Sequence, residues 1–269
     1  MEKLLKKFLF EIPLSKIGKV ISRLTKKSQL EYLIRSLHPI DSGYPLIRLG
    51  PNDDGGYLIP SDLEGIEACF SPGVSSVTGF ENDLANLGIK VFLADKSVDN
   101  PSDTNALFSF KKKFIGSFSD EDFLSIEEWV NSSNISENGD LILQMDIESF
   151  EYETIFSMSE KLIKRFRIII IEFHQLDRIH EAPFFFIVDR VFKKILNTHA
   201  CVHAHPNNIT GTTSINNIEI VNTMEFTFFR KDRFKDNNIF ITNFPHPLDA
   251  DNCSFRKPLV LPKNWYRGE

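Results

Sequence analysis

The segment Arg167-Ile168-Ile169-Ile170-Ile171-Glu172-Phe173-His174 places four isoleucines in succession. A strand with one wet face alternates polar and apolar residues, because neighbouring side chains point to opposite faces. A run that is apolar on both faces suits a central strand of a parallel sheet covered by helices on both sides. The flanking segments supply the rest of such a fold. IEACFSPGV reads as a strand and turn, SSVTGFENDLANLG as a helix closed by Gly88, KVFLAD as a strand and KKKFIGSF as a further short strand. SDEDFLSIEEWVNSS reads as a helix with Ser or Asp as N-cap, LILQMDIE as a strand and FEYETIFSMSEKLIKR as one helix. After the isoleucine strand come the helix EAPFFFIVDRVFKKILNTH, the strand ACVHAH, and a last strand, EIVNTMEFTFFRK, able to pair antiparallel. This alternation predicts a doubly wound α/β three-layer sandwich.

A chain of 269 residues, 42% of them hydrophobic, can bury one substantial core, and most of its 25 phenylalanines are expected there. Residues 1–40 are expected to form a basic helical segment with a break near Pro13 and a stop at His38-Pro39, and residues 41–269 the main domain. Between them, DSGYPLIRLGPNDDGGYLIPSD holds three prolines and four glycines, the composition of a loop or hairpin with short strands at 46–49 and 57–59. Eight basic residues against two acidic ones give residues 1–30 a net charge of +6, which leaves −12 for the remainder of a chain whose total is −6. Such a head can lie on an anionic membrane surface, dock on a partner, or pack its apolar side on its own chain. The acidic body argues against nucleic acid as a partner, since that ligand calls for a basic groove. Cys69, Cys201 and Cys253 are odd in number, far apart and without a CxxC spacing, which suits a reducing compartment and neither a disulfide framework nor a zinc finger. No apolar run approaches the roughly 20 residues that span a bilayer. Glu11 and Pro13 interrupt the apolar stretch of the head, a poor pattern for a secretory signal. The expected location is cytoplasmic, at the inner face of the membrane where the head docks there.

Three apolar runs end in polar pairs spaced i, i+2: Asp146/Glu148, Glu172/His174 and His203/His205. On strands each pair shares a face, and in open parallel sheets ligands bind beyond the carboxyl ends of the strands. Two carboxylates as close as Asp146 and Glu148 repel, so one holds a proton more tightly or a cation sits between them. Either arrangement serves catalysis, as a general base or as a metal that acidifies a hydroxyl. Glu151 and Glu153 read as residues that cap and solvate the following helix. His174 titrates near neutral pH and is a candidate base. His203, His205, Asn207 and Asn208 form HAHPNN, a cluster of donors and acceptors suited to a polyhydroxylated substrate or to a divalent metal. If a metal is present, its candidate ligands are Asp146, Glu148, His174, His203 and His205. Upstream, Ser71, Gly73 and Ser75 lie where a strand must turn sharply into a helix, whose start offers free N–H donors. The full GxGxxG fingerprint is missing. Asp95 ends the next strand, where a carboxylate can accept hydrogen bonds from ribose hydroxyls, and turn and carboxylate together suit an adenosine-type ligand.

SPGVSSVTGFENDLA, VFLAD, LQMDIESFEYETI, IIIEFH and HAHPNN together resemble the FkbM family of S-adenosylmethionine-dependent methyltransferases, over about residues 45 to 230. The most specific element is MDIE with its following acidic helix and then an IEFH strand. The resemblance implies the class I methyltransferase fold, a Rossmann-like three-layer sandwich with a mostly parallel seven-stranded sheet and an antiparallel hairpin at one edge. It also implies O-methylation of a small-molecule or glycan hydroxyl. By position, Ser71 and Gly73 would line the methionine part of the cofactor with Glu81 close by, and Asp95 would hold its ribose. Ser117 and Phe118 would border the adenine, and Asp146 would lie between cofactor and acceptor. The chain departs from the family in two places. Ser71 replaces the usual acidic residue at the start of the glycine turn, and Ser149 stands where MDIEG has glycine.

The function expected on these grounds is methyl transfer from S-adenosylmethionine to a sugar hydroxyl, in a surface polysaccharide or related glycoconjugate. His174 or Asp146 would act as base, with Glu148, Glu172, His203 and His205 orienting the acceptor or a divalent ion, and Asp54 and Tyr57 closing over the site. Two other classes stay open: a nicotinamide-dependent sugar oxidoreductase, against which the missing GxGxxG and YxxxK patterns weigh, and a non-catalytic scaffold in a glycan assembly complex.

Overall fold

The computed structural model describes residues 22–74, 77–235 and 239–266. The expected break at Pro13, the residues before Ser22 and Ser75 fall outside them. Seven strands make the central sheet: β3 (Ile66–Pro72), β4 (Lys90–Ala94), β5 (Phe108–Lys111), β8 (Asp140–Met145), β9 (Phe166–Phe173), β10 (His199–Pro206) and β13 (Met224–Arg230). Their order is β10-β13-β9-β8-β3-β4-β5, and β13 runs antiparallel to both of its neighbours. The sheet is that of the class I methyltransferase fold, with the antiparallel pair β10 and β13 at one edge.

All eight residues of β9 are buried. Ile169 and Ile171 enter one hydrophobic cluster, Ile168 and Ile170 the other, so the isoleucine run is shared between the two faces of the sheet. On the first face lie α1 (Lys27–Ser36), α3 (Ile126–Ser132), α4 (Glu151–Ser157), α5 (Glu160–Arg165) and α6 (Ala182–Leu196), contributing Leu30, Trp129, Ile155, Leu162 and Phe192 among others. The second face is covered by α2 (Gly79–Asn86), through Phe80 and Leu84, and by the hairpin of β1 (Leu46–Leu49) and β2 (Tyr57–Pro60). Each isoleucine so buried contributes roughly 1.5–3 kcal/mol. Phenylalanine supplies much of the core, with Phe70, Phe166, Phe173, Phe192, Phe226, Phe228 and Phe229 fully enclosed. α1 belongs to this body: Leu30, Leu33, Ile34 and Leu37 all enter the first cluster.

Local chemistry redraws several boundaries. The helix expected over FEYETIFSMSEKLIKR is two, because the hydroxyl of Ser159 accepts the amide of Leu162 at 3.1 Å and starts α5 afresh. Residues 123–125 form β7, paired in parallel with β6 (Phe114–Gly116), and the following helix begins only at Ile126, capped by Ser125. The last expected strand is also two, β12 (Ile218–Val221), which pairs with β11 (Thr212–Ile215), and β13. No described helix is long and apolar enough to cross a membrane.

At the amino ends of β8 and β9, buried Arg167 binds Asp140 at 2.7 Å and lies 3.5 Å from Asp62, and Arg230 joins Asp140 from β13. The carboxyl ends of β3, β4, β8 and β9, together with Met224 and Pro206 paired across β13 and β10, collect at the opposite edge. Because Ile169 is fully enclosed, Ile169→Ala should lower unfolding free energy by about 2–5 kcal/mol with little change in m-value, measured by urea denaturation.

Candidate active site

The cleft begins where β3 meets β8. Gly73 has φ +85°, and a Cβ there would stand 1.6 Å from the carbonyl oxygen of Asp146, so only glycine fits. Its amide donates to Ala94 O at 2.9 Å, and Asp146 N donates to Pro72 O at 3.3 Å. A cavity of about 390 Å³ opens beside this crossing, bounded by Gly73, Asp95, Ser97, Asp146 and Glu148 and walled by Phe114, Ile115, Phe123 and Phe150. Asp95 is buried at the tip of β4, where its Oδ1 accepts both the amide and the hydroxyl of Ser97 at 2.7 Å. A smaller polar recess of about 40 Å³ continues past Gly73 between Asp54, Tyr57, Glu81, Gln144 and Asp146. Ser117 and Phe118 lie outside both spaces, a correction to their expected place. Ser117 donates through its amide and hydroxyl to Glu153 and borders a separate apolar groove, and Phe118 is 58% exposed behind Phe123. Most of the aromatic wall is built by β6 and β7, whose pairing the sequence does not announce, and Phe150 completes it from just before α4.

Ser71 is fully buried, with its Oγ 2.5 Å from Glu81 Oε1 and 2.7 Å from Gln144 Oε1. One hydroxyl hydrogen cannot serve two acceptors, so a proton on Glu81 completes the chain: Glu81 donates to Ser71, Ser71 to Gln144, and Gln144 Nε2 to the Tyr57 hydroxyl at 3.0 Å. Burial pushes the Glu81 carboxyl up to about 7, against the opposing effect of its hydrogen bonds.

The expectation that Asp146 and Glu148 share a strand face fails, because β8 ends at Met145 and the chain then turns through positive φ at Glu148 (53°) and Ser149 (84°). The Glu148 side chain is 86% exposed as a result, although its Oε2 still reaches 3.5 Å from His174 Nε2. Ser149, one of the expected departures from the family pattern, thus holds a left-handed conformation of the kind glycine adopts most readily. Its amide and that of Ile147 both donate to Glu151 Oε1, at 3.1 and 3.2 Å. His174 Nδ1 lies 3.0 Å from the same oxygen. An oxygen already accepting two N–H groups is an acceptor for the third contact too, so Nδ1 carries the hydrogen and Nε2 is turned toward Asp146, which lines the cleft. There Nε2 stands 3.8 Å from Asp146 Oδ1 and 3.5 Å from Glu172 Oε1. Glu151 is completely buried, so its expected role as a solvated helix residue is wrong. Glu153 is exposed, as expected. Tyr152 adds a hydrogen bond to His174 O at 2.6 Å.

Glu172, Glu225 and His205 lie side by side across β9, β13 and β10. Asp54, from the β1–β2 loop, joins the two glutamates, with an oxygen of each within 4.8 Å of the others. Burial, then the charges of Asp146, Glu225 and Asp54, hold Glu172 well above the usual carboxylate range. Asp146 is pushed up to about 7 by burial, which His174 opposes and Glu148, Glu151 and Asp54 reinforce. For His174 burial acts downward, but the hydrogen bond and charge of Glu151 with the charges of Asp146 and Glu148 prevail, and its pKa is raised.

HAHPNN is used mostly within the protein. Asn207 donates to Glu172 at 3.0 Å while its own oxygen accepts Ile209 N. Asn208 binds both the amide and the carbonyl of Cys253 at 2.9 Å, so it clasps the C-terminal segment and does not face the cleft, a correction to its expected substrate role. His203 binds Asp249 at 2.9 Å. The expected metal set therefore divides. Among the described residues, potential ligands gather as Asp146/Glu151/His174, His203/His205/Asp249 and Asp54/Glu172/Glu225. The first group suits a metal poorly, since Glu151 Oε1 already takes three donors. Glu225 has a signal in sequence that was missed, a lone charge in the apolar strand MEFTFF like that in IIIIEFH. Asp249 and Asn252, the latter donating to Glu225 at 2.6 Å and Asp54 at 3.2 Å, have none.

No protein-family model and no curated protein matches the chain. Among solved structures it is similar to the N-methyltransferase NodS of Bradyrhizobium japonicum, at 8% identity over 62% of this chain and 86% of that one, with a TM-score of 0.32. It is similar also to magnesium protoporphyrin IX methyltransferase of Synechocystis with bound SAH, at 12% identity over 63% and 76% of the two chains and a TM-score of 0.32. An rRNA methylase of Streptococcus thermophilus aligns at 12% identity over 79% and 99%, with a TM-score of 0.30. At that level the likenesses add nothing to the strand order described above.

A carboxyl whose pKa is raised in the fold binds protons more tightly there than in the unfolded chain, so it favours folding at low pH and loses that contribution as pH rises through the folded value. For Glu81 the window runs from about 4.5 to about 7. Glu81→Gln should therefore be more stable than the parent at pH 8 by about 2–3 kcal/mol and near parity at pH 5, measured by urea unfolding at both values.

Proposed function

We propose that this chain is a methyltransferase of the FkbM type that transfers the methyl group of S-adenosylmethionine to a sugar hydroxyl, in a surface polysaccharide or related glycoconjugate. The observation that carries the proposal is the His174–Glu151 pair, with Nδ1 held on a buried carboxylate and Nε2 turned toward Asp146 at the mouth of the cleft.

The residues lining the cleft fit the cofactor. Gly73 leaves a cradle that any side chain would fill, Asp95 sits where ribose hydroxyls need an acceptor, and Phe114, Ile115, Phe123 and Phe150 offer the apolar wall that a purine needs. Asp54 and Asp146 give the adjoining recess the carboxylate acceptors that an ammonium group needs, beside the protonated Glu81. When bound, the cofactor supplies a methyl group on a positively charged sulfur, and in-line transfer then depends on positioning. His174 takes the acceptor hydroxyl's proton at Nε2, and Glu151, hydrogen-bonded to Nδ1, fixes the tautomer and stabilises the imidazolium that results, as the carboxylate of a catalytic triad does. Asp146 and Glu172, 3.8 and 3.5 Å from that nitrogen, present oxygen atoms beside it, which supports an acceptor with several hydroxyl groups.

Calorimetry with S-adenosylmethionine tests the cofactor assignment. Asp95→Ala should weaken binding about tenfold or more, a loss of about 1.4 kcal/mol, and unchanged affinity would refute the ribose contact. The acceptor is sought by mass spectrometry for a single added methyl on candidate glycans, with and without chelator.

On a proven acceptor, His174→Ala should lower kcat about 10²–10⁴-fold. In Glu151→Gln the support for the imidazolium is lost, so the acid limb of the kcat profile should move to lower pH. Normal turnover in His174→Ala, or an unmoved acid limb in Glu151→Gln, would remove the base assignment.

A further inference from the structure

Outside the cofactor cleft, two imidazoles and a carboxylate converge. His203 and His205 share a face of β10, and Asp249 reaches them from the C-terminal segment. Asp249 Oδ1 lies 2.9 Å from His203 Nε2 and 3.6 Å from His205 Nδ1. Neighbouring ligands of a tetrahedral ion with bonds of about 2.0–2.1 Å are about 3.4 Å apart, so these separations need little adjustment. The other oxygen of Asp249 accepts the amide of His246 at 2.7 Å, which fixes the carboxylate.

His205 is the residue that asks for a ligand. It is 8% exposed, yet neither ring nitrogen has a hydrogen-bond partner. Its Nδ1 has only the 3.6 Å approach of Asp249 Oδ1 and its Nε2 has no partner, so the ring is buried without a hydrogen bond of ordinary length. Buried His199, on the same strand, shows the ordinary solution, with its Nε2 2.6 Å from Phe166 O. A cavity of about 170 Å³ lined by His205, Asp249, Phe244 and Leu259 adjoins the group, with room for water to complete a coordination shell.

We propose that His203, His205 and Asp249 bind a divalent transition-metal ion of the zinc type, which pins the C-terminal segment to the edge of the sheet. Two imidazoles and one carboxylate suit zinc and its neighbours, whereas magnesium and calcium favour all-oxygen sites. The pinned segment carries Asn252, which holds Asp54 and Glu225, and Leu248, whose carbonyl lies 3.5 Å from Arg48 Nη1. The ion is therefore a positioning element for the Asp54/Glu172/Glu225 carboxylate group and touches no reacting atom. It stands whether or not a sugar is the acceptor.

Titration of the untagged, metal-stripped full-length chain with Co²⁺ alone, followed by visible absorption, tests the site. One equivalent should bind, with a spectrum that Zn²⁺ abolishes and Mg²⁺ leaves unchanged, and Zn²⁺ should raise the Tm of the parent. His205→Gln and Asp249→Asn should each bind Co²⁺ at least about tenfold more weakly, while Glu225→Gln, in the neighbouring carboxylate group, should bind it as the parent does. Failure of the parent to bind Co²⁺ would overturn the proposal. So would undiminished binding by both of the first two variants, or loss confined to Glu225→Gln.

Discussion

The burial of β9 on both faces is the constraint from which the site follows. Ile168 and Ile170 belong to one core and Ile169 and Ile171 to the other, so no position along the middle of the strand can bear a charge without stranding it in hydrocarbon. Charged residues are driven to the two ends. Arg167 enters at one end into a shell of Asp140 and Asp62, and Glu172 and His174 leave at the other. The neighbouring strands obey the same restriction. β8 is apolar through most of its length and yields Asp146 just past its end, and β13 places Glu225 at its outset.

The charge so expelled accumulates in one place. Asp54, Asp146, Glu172 and Glu225 crowd the carboxyl edge of the sheet; beyond burial, the charges of Asp146, Glu225 and Asp54 raise Glu172, and Asp54 adds to the rise at Asp146. Asn207 and Asn252 spread this load through neutral amides, which donate hydrogen bonds without adding countercharge. His174 draws on the same field, and its proton is held more firmly than that of an isolated imidazole.

Much of this was legible in the sequence, and the part that was not has a common cause. The isoleucine run and the alternating segments prescribe the sheet, and polar residues at strand tips announce where a ligand would meet it. Hydrophobic periodicity reports burial along one segment and carries no information about which distant segment arrives opposite. Asp249 and Asn252 come from a loop-rich tail with no periodicity, and only the folded chain brings them to His203 and Glu225. The aromatic wall around Phe123 depends on a pairing of two three-residue strands, too short to mark themselves. Glu151 was misread because acidic residues in a first helical turn commonly serve the helix dipole, and nothing local distinguishes one that turns inward.

One atom, Glu151 Oε1, joins two parts of the molecule that would otherwise have separate fates. Ile147, which lines the larger cavity, and His174, at the tip of β9, both donate to it. A carboxylate oxygen shared among three donors bonds each less strongly than it would bond one alone. The oxygen that fixes the turn at Ile147 is thus the oxygen that orients the imidazole, so loss of the Glu151 carboxylate would disturb the lining of the cavity and the histidine together.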